Sequence, residues 1–160
     1  MKKLSMDLQL QDKTVLVTAS TAGIGFATAK LLATEGATVY INGRTQKRID
    51  AAIAQIKQEH PHTKLKGIPA DFSKVGEVSN LIRQIHEVNI LINNVAIFEP
   101  KAFVNITDED WLKFYEVNVL SGIRLSRHYF PLMLKKDWGR IIFISSESAI
   151  NIPEEMIHYG

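Results

Sequence analysis

Short runs of β-branched and other apolar residues alternate along this chain with longer stretches in which apolar positions recur every three or four residues. Thr14-Val15-Leu16-Val17-Thr18 is such a run and ends at a turn, the pattern of a buried strand. From Gly23 to Glu35 apolar residues stand at Ile24, Ala27, Leu31 and Leu32, a helical spacing that Gly36 is suited to stop. Thr38–Ile41 reads as a second strand. Gln46–Glu59 follows as a helix with Ile49, Ile53 and Ile56 on one face. Leu65–Ile68 is the third strand. Ser73–Glu87 is a helix that turns Val78, Leu81, Ile82 and Ile85 inward, and Ile90-Leu91-Ile92 is the fourth strand. Thr107 opens a long helix, with Asp108 and Asp110 near its positive end. The pattern carries it to about Lys135, with Pro131 as a place to kink or stop. Arg140–Ile144 is the fifth strand.

This alternation predicts an α/β fold, a doubly wound parallel sheet with helices on both faces. Right-handed crossovers give the strand order 3-2-1-4-5. Such sheets bind ligands beyond the carboxyl ends of their strands, near the reversal between strands 1 and 4. No repeat, linker or low-complexity tract interrupts the pattern, so residues 1–160 are read as one domain.

Composition narrows the function. Apolar residues make up 46% and charged residues 22%, as in an ordinary globular protein. The net charge of +2 comes from 19 basic and 17 acidic residues that are scattered, which argues against nucleic acid. There are no cysteines, so disulfides and thiolate metal sites are excluded and a reducing compartment fits. Met1–Gln11 lacks an apolar run of signal-peptide length, and no stretch approaches the ~20 apolar residues of a membrane span. A cytoplasmic protein is expected. His158, Glu147, Glu154 and Glu155 lack metal-ligand spacing, and no metal is expected.

The chemistry collects at the strand ends. After strand 1 comes Thr18-Ala19-Ser20-Thr21-Ala22-Gly23-Ile24-Gly25. Its small residues let backbone amides approach a pyrophosphate, whose charge the following helix N-terminus stabilises. Strand 2 ends in Asn42-Gly43-Arg44-Thr45, strand 3 in Asp71-Phe72, and strand 4 in Asn93-Asn94-Val95-Ala96. Asn118 lies between valines on the long helix. Ile144-Ser145-Ser146 follows strand 5, and Ser146 stands thirteen residues before Tyr159.

In order and spacing these segments resemble the short-chain dehydrogenase/reductase family, over about Leu8 to Gly160. The resemblance implies a Rossmann-like fold and hydride transfer between a nicotinamide cofactor and a carbonyl or secondary alcohol. It implies cofactor binding by Thr18, Ser20, Thr21, Gly23, Ile24, Gly25, Arg44, Asp71, Phe72, Asn93, Asn94 and Ala96, and catalysis by Asn118, Ser146 and Tyr159. Tyr159 is the implied general acid, Ser146 holds the carbonyl, and Asn118 bends its helix. The thirteen-residue spacing selects Ser146 over Ser145 and Ser148. Two motifs depart from the family: Ala19 replaces a glycine, and Val95-Ala96 replaces Ala-Gly. Gly43 stands at the position where an acid would favour NAD, and Arg44 follows it, so NADP is expected.

The family also places a lysine four residues after its tyrosine, which would be position 163, beyond Gly160. The chain as given is therefore expected to be impaired, and the parent protein to be an NADP-dependent, homo-oligomeric enzyme acting on a small molecule. The alternatives are a non-catalytic nucleotide-binding domain and an interaction module.

Overall fold

The computed structural model describes residues 7–160. Its elements are β1 (Thr14–Val17), α1 (Gly23–Thr34), β2 (Thr38–Gly43), α2 (Gln46–Glu59), β3 (Lys64–Pro69), α3 (Val75–Gln84), β4 (Ile90–Asn93), α4 (Asp108–Phe114), α5 (Ser121–Lys135) and β5 (Arg140–Phe143). The five strands form one parallel sheet in the order β3-β2-β1-β4-β5, as the alternation predicts. The register sets Val17 against Ile41 of β2 and Ile92 of β4, so three strands end level at the site.

Strand alternation divides the core. Val15, Val17, Ile90 and Ile92 face one layer with Ala29, Ala33, Ile49 and Ile56 from α1 and α2. Leu16 and Leu91 face the other, with Val78 and Leu81 of α3 and Leu125, Tyr129 and Met133 of α5. Tyr129 is fully buried and donates its hydroxyl to the Ile85 carbonyl at 2.8 Å. Burial pushes its phenol up.

Two helices differ from expectation in detail. In α1 the buried face is Gly25, Ala29 and Ala33, while Ile24 and Leu31 are exposed. Small residues bring this helix close to the sheet, which apolar spacing alone does not reveal. The helix expected from Thr107 to Lys135 is interrupted by a π-helical segment at Tyr115–Leu120, then continues through Pro131 to Lys135. The wider turn surrounds Asn118, and such bulges absorb one extra residue and redirect side chains. Pro131 therefore does not end the helix.

Candidate functional site

The β1–α1 turn is held from behind. Thr18 is fully buried; its hydroxyl donates to the Ile92 carbonyl and accepts from the backbone N–H of Asn94 and of Val95 at 2.8 and 3.0 Å. Asn94 returns its side-chain amide to the carbonyls of Thr18 (2.9 Å) and Ala19 (3.2 Å). Asn94 is thus a brace between β1 and β4. Ser20 donates to the Val17 carbonyl at 2.7 Å and accepts from the Asn42 N–H at 2.9 Å.

Ala19, the residue that departs from the family pattern, has φ of 49°, and Gly23 has φ of 56°. Both sit in the left-handed region, which costs alanine and not glycine. A Cβ at Gly25 would fall 2.6 Å from the Ala19 carbonyl oxygen and against the Asn94 amide, so this position admits only glycine. Among the described residues no side chain caps α1, and no acid occupies its first turn. Its amide groups and positive end are left for an anion.

Asn42 is a part of the site that sequence reasoning quoted without assigning a role. It is buried, its Oδ1 accepts from the Ala19 N–H at 2.9 Å, and its Nδ2 donates to the Ile68 carbonyl at 3.1 Å. One side chain thereby joins the ends of β1, β2 and β3. An asparagine before glycine reads in sequence as the start of a turn, which masked this role.

Beyond these strand ends lies a cleft of about 310 Å³. Of the expected cofactor residues, Thr21, Arg44, Asp71, Phe72 and Ala96 line it. Arg48 and Lys113 line it too and were not anticipated. Thr18, Ser20, Gly25 and Asn94 support it from behind without lining it. Ile24 is exposed outside it, and Asn93 turns away, reaching Ser126 of α5 at 3.5 Å. Burial alone would raise the Asp71 carboxyl. The N–H and hydroxyl of Ser73 and the charges of Lys74 and Arg44 outweigh it and hold the group below its usual value.

Two of the candidate catalytic residues, Asn118 and Tyr159, meet the loop that leaves β4. Asn118 clamps Ile97 on both sides: Nδ2 donates to its carbonyl at 2.9 Å and Oδ1 accepts its N–H at 2.8 Å. Tyr159 is half-buried with its ring edge-on to Phe98 at 6.3 Å between centroids. The Lys101 N–H donates to the Glu155 carbonyl at 2.6 Å, which docks the segment before Tyr159 on the same loop. Ser146 follows β5, and its Oγ accepts the Ser148 N–H at 3.2 Å, which leaves the hydroxyl proton to donate outward. Glu154–Met156 forms only a short 3-10 turn. Among the described residues no group of side chains could hold a metal. His158, which sequence reasoning set aside, is buried against Phe114 at 4.1 Å between centroids, with Trp111 at 6.0 Å.

A parallel sheet in this strand order, with a glycine-bearing β1–α1 turn and an adjoining cleft at the strand ends, defines a Rossmann-like fold. Residues 13–160 match the model of the short chain dehydrogenase family, and the chain belongs to that family. It is 46% identical over 155 residues to the uncharacterized oxidoreductase YvaG of Bacillus subtilis, covering 97% of this chain and 59% of that protein. It superposes with a TM-score of 0.90 on L-sorbose reductase from Gluconobacter frateurii complexed with NADPH and L-sorbose, at 25% identity, covering 96% of this chain and 60% of that one. With a 7α-hydroxysteroid dehydrogenase complexed with NADH and 7-oxo glycochenodeoxycholic acid the TM-score is 0.85 at 30% identity, covering 96% and 60%. The chain spans about three fifths of the length of these relatives. No helix among the described residues is long and apolar enough to cross a membrane.

Proposed function

We propose that this chain supplies the cofactor cleft and the Ser/Tyr chemistry of an NADP(H)-dependent reductase of carbonyls, working in reverse on secondary alcohols. The observation that carries this reading is that Asn118 and Tyr159 both meet the β4 exit loop, whose Ala96 and Ile97 also line the cleft. The residues fit a dinucleotide. The start of α1 is uncapped, Gly25 allows close backbone approach, and Arg44 faces the cleft beside Gly43. Bound NADPH would supply a hydride to the carbonyl carbon. Tyr159 would donate its phenolic proton to the carbonyl oxygen, completing an alcohol, and Ser146 would donate a hydrogen bond to that oxygen as charge develops. Asn118 would hold the loop that carries both cleft and tyrosine contacts. A cation four residues after Tyr159 would stabilise the phenolate left behind. The substrate is a small carbonyl compound, the setting is the cytoplasm, and the working form is a homo-oligomer.

The test is turnover of a ketone and aldehyde panel with NADPH by the protein extended through that lysine. Tyr159→Phe should lower kcat by about 10²–10⁴-fold with NADPH affinity nearly unchanged. Ser146→Ala should also slow turnover, and Ser145→Ala and Ser148→Ala should matter much less. Full turnover in Tyr159→Phe would refute the proton path.

A further inference from the structure

Tyr159 stands on a segment with little regular structure of its own. From Ile150 to Gly160 the chain forms only the short Glu154–Met156 turn, and among these residues His158 alone has a buried side chain. Ile150 and Ile152 are exposed although apolar, and Met156, Ile157 and Tyr159 are half-buried. The side-chain packing that fixes this segment therefore centres on the residue next to the tyrosine.

His158 is seated on α4. Its ring centroid lies 4.1 Å from that of Phe114, with the planes tilted by 53°, and 6.0 Å from that of Trp111, edge-on at 75°. Trp111 and Phe114 are three residues apart, so one face of the helix carries both. Neither nitrogen of the imidazole has a hydrogen-bond partner among the described residues. The seat thus holds a flat ring by packing and gives it no polar contact. His158 does not line the cleft, so it is not itself a reacting group. On the other side of Tyr159, a Cβ at Gly160 would fall 2.6 Å from the Ser148 carbonyl oxygen, so the chain there lies close against the turn that carries Ser146. α4 runs directly into the π-helical segment whose Asn118 clamps Ile97. One continuous helical run thereby fixes both the cleft-lining loop and the tyrosine segment.

We infer that His158 is the positioning residue of the proposed acid: its ring, seated against Phe114 and Trp111, sets where the Tyr159 hydroxyl meets a carbonyl beside the cleft. This rests on the reading of Tyr159 as proton donor and adds to it the contact that aims the tyrosine.

The test uses the full-length protein, NADPH and the best substrate of the ketone and aldehyde panel. His158→Ala should lower kcat by roughly 10- to 100-fold, because a displaced acid loses the productive geometry. NADPH affinity by isothermal titration should stay unchanged, since no residue from 146 to 160 lines the cleft. His158→Phe should restore kcat, because the seat reads a flat ring and not its nitrogens. Phe114→Leu empties the same seat from the helix side and should lower kcat in the same way. The double variant His158→Ala/Phe114→Leu should be no slower than the slower single one, as expected for two partners in one contact. If Tyr159→Phe abolishes turnover while His158→Ala keeps full kcat, this inference falls and the proton path stands. It falls too if the two substitutions multiply, or if His158→Gln restores turnover and His158→Phe does not. Loss of NADPH binding in both single variants would make the contact a support of the whole fold and overturn the assignment. If the unsubstituted protein reduces no carbonyl of the panel, or Tyr159→Phe keeps full turnover, the reading of Tyr159 falls and takes this inference with it.

Discussion

At the scale of single residues, the cofactor turn stores strain at one place and depends on glycine at others. Ala19 and Gly23 both adopt left-handed backbone, and none of the described residues lies within 4 Å of a Cβ added at Gly23. Substitution there tests the backbone alone. Gly23→Ala should destabilise by about 1 kcal/mol. Ala19→Gly should stabilise by about 0.5 kcal/mol, the relief of strain less the added freedom of the unfolded chain. Denaturant unfolding of both variants checks the pair, and equal signs would contradict the assigned conformation. Asn42 is the stronger case. Asn42→Leu would leave the Ala19 N–H and the Ile68 carbonyl without partners, at a cost of about 3 kcal/mol. The motif residues were legible because their spacing is local. Asn42 and the left-handed Ala19 were not, since their roles arise only when β1, β2 and β3 end side by side.

At the scale of elements, β1, β2 and β4 were readable as apolar runs that are largely buried, and the strand order followed from the alternation of strands and helices with right-handed crossovers. Helix type was readable too, but which face turned inward was not always so. In α1 the apolar residues Ile24 and Leu31 point out, and the close approach of Gly25, Ala29 and Ala33 decides the packing. The π-helical segment around Asn118 was foreshadowed only as a bend. The start of α4 was signalled well: Thr107 and Asp110 form a reciprocal capping box, with Thr107 N–H donating to Asp110 Oδ2 at 3.0 Å and Asp110 N–H to Thr107 Oγ1 at 3.3 Å. Thr107→Ala should cost about 1 kcal/mol. Lys101 also donates to Asp110, and these bonds, Lys101 first and then the Thr107 N–H, push its carboxyl down to about 2. A carboxyl whose folded value lies below its unfolded one adds stability above the unfolded value and loses it as pH falls through the folded one. The contribution should therefore fade between about pH 4 and pH 2. Asp110→Asn should flatten that part of a stability–pH curve, and an unchanged slope would count against the pair.

At the scale of the molecule, the sheet is covered on both faces yet has an exposed apolar margin at β5. Ile142, Phe143 and Ile144 are about half exposed there (45%, 55% and 40%), and Phe130 and Leu134 on α5 are exposed nearby in sequence. Among the described residues β5 pairs with β4 along one side only, so its other side presents unpaired backbone groups next to apolar side chains. Such an edge can template pairing with another chain. The physics that made β5 legible, a run of Ile-Ile-Phe-Ile, is the same physics that makes its edge adhesive when uncovered. As a 160-residue polypeptide the protein should self-associate with rising concentration. Ile142→Lys places a charge on the edge strand without touching the cleft residues or the β4 exit loop, and should shift sedimentation toward the monomer. The measurement pairs sedimentation velocity with cofactor titration: the variant should lose association and keep its NADPH affinity. If Ile142→Lys associates as strongly as the unsubstituted chain, the adhesive surface lies elsewhere. The exposed face of α5, with Phe130 and Leu134, would then be the next surface to alter.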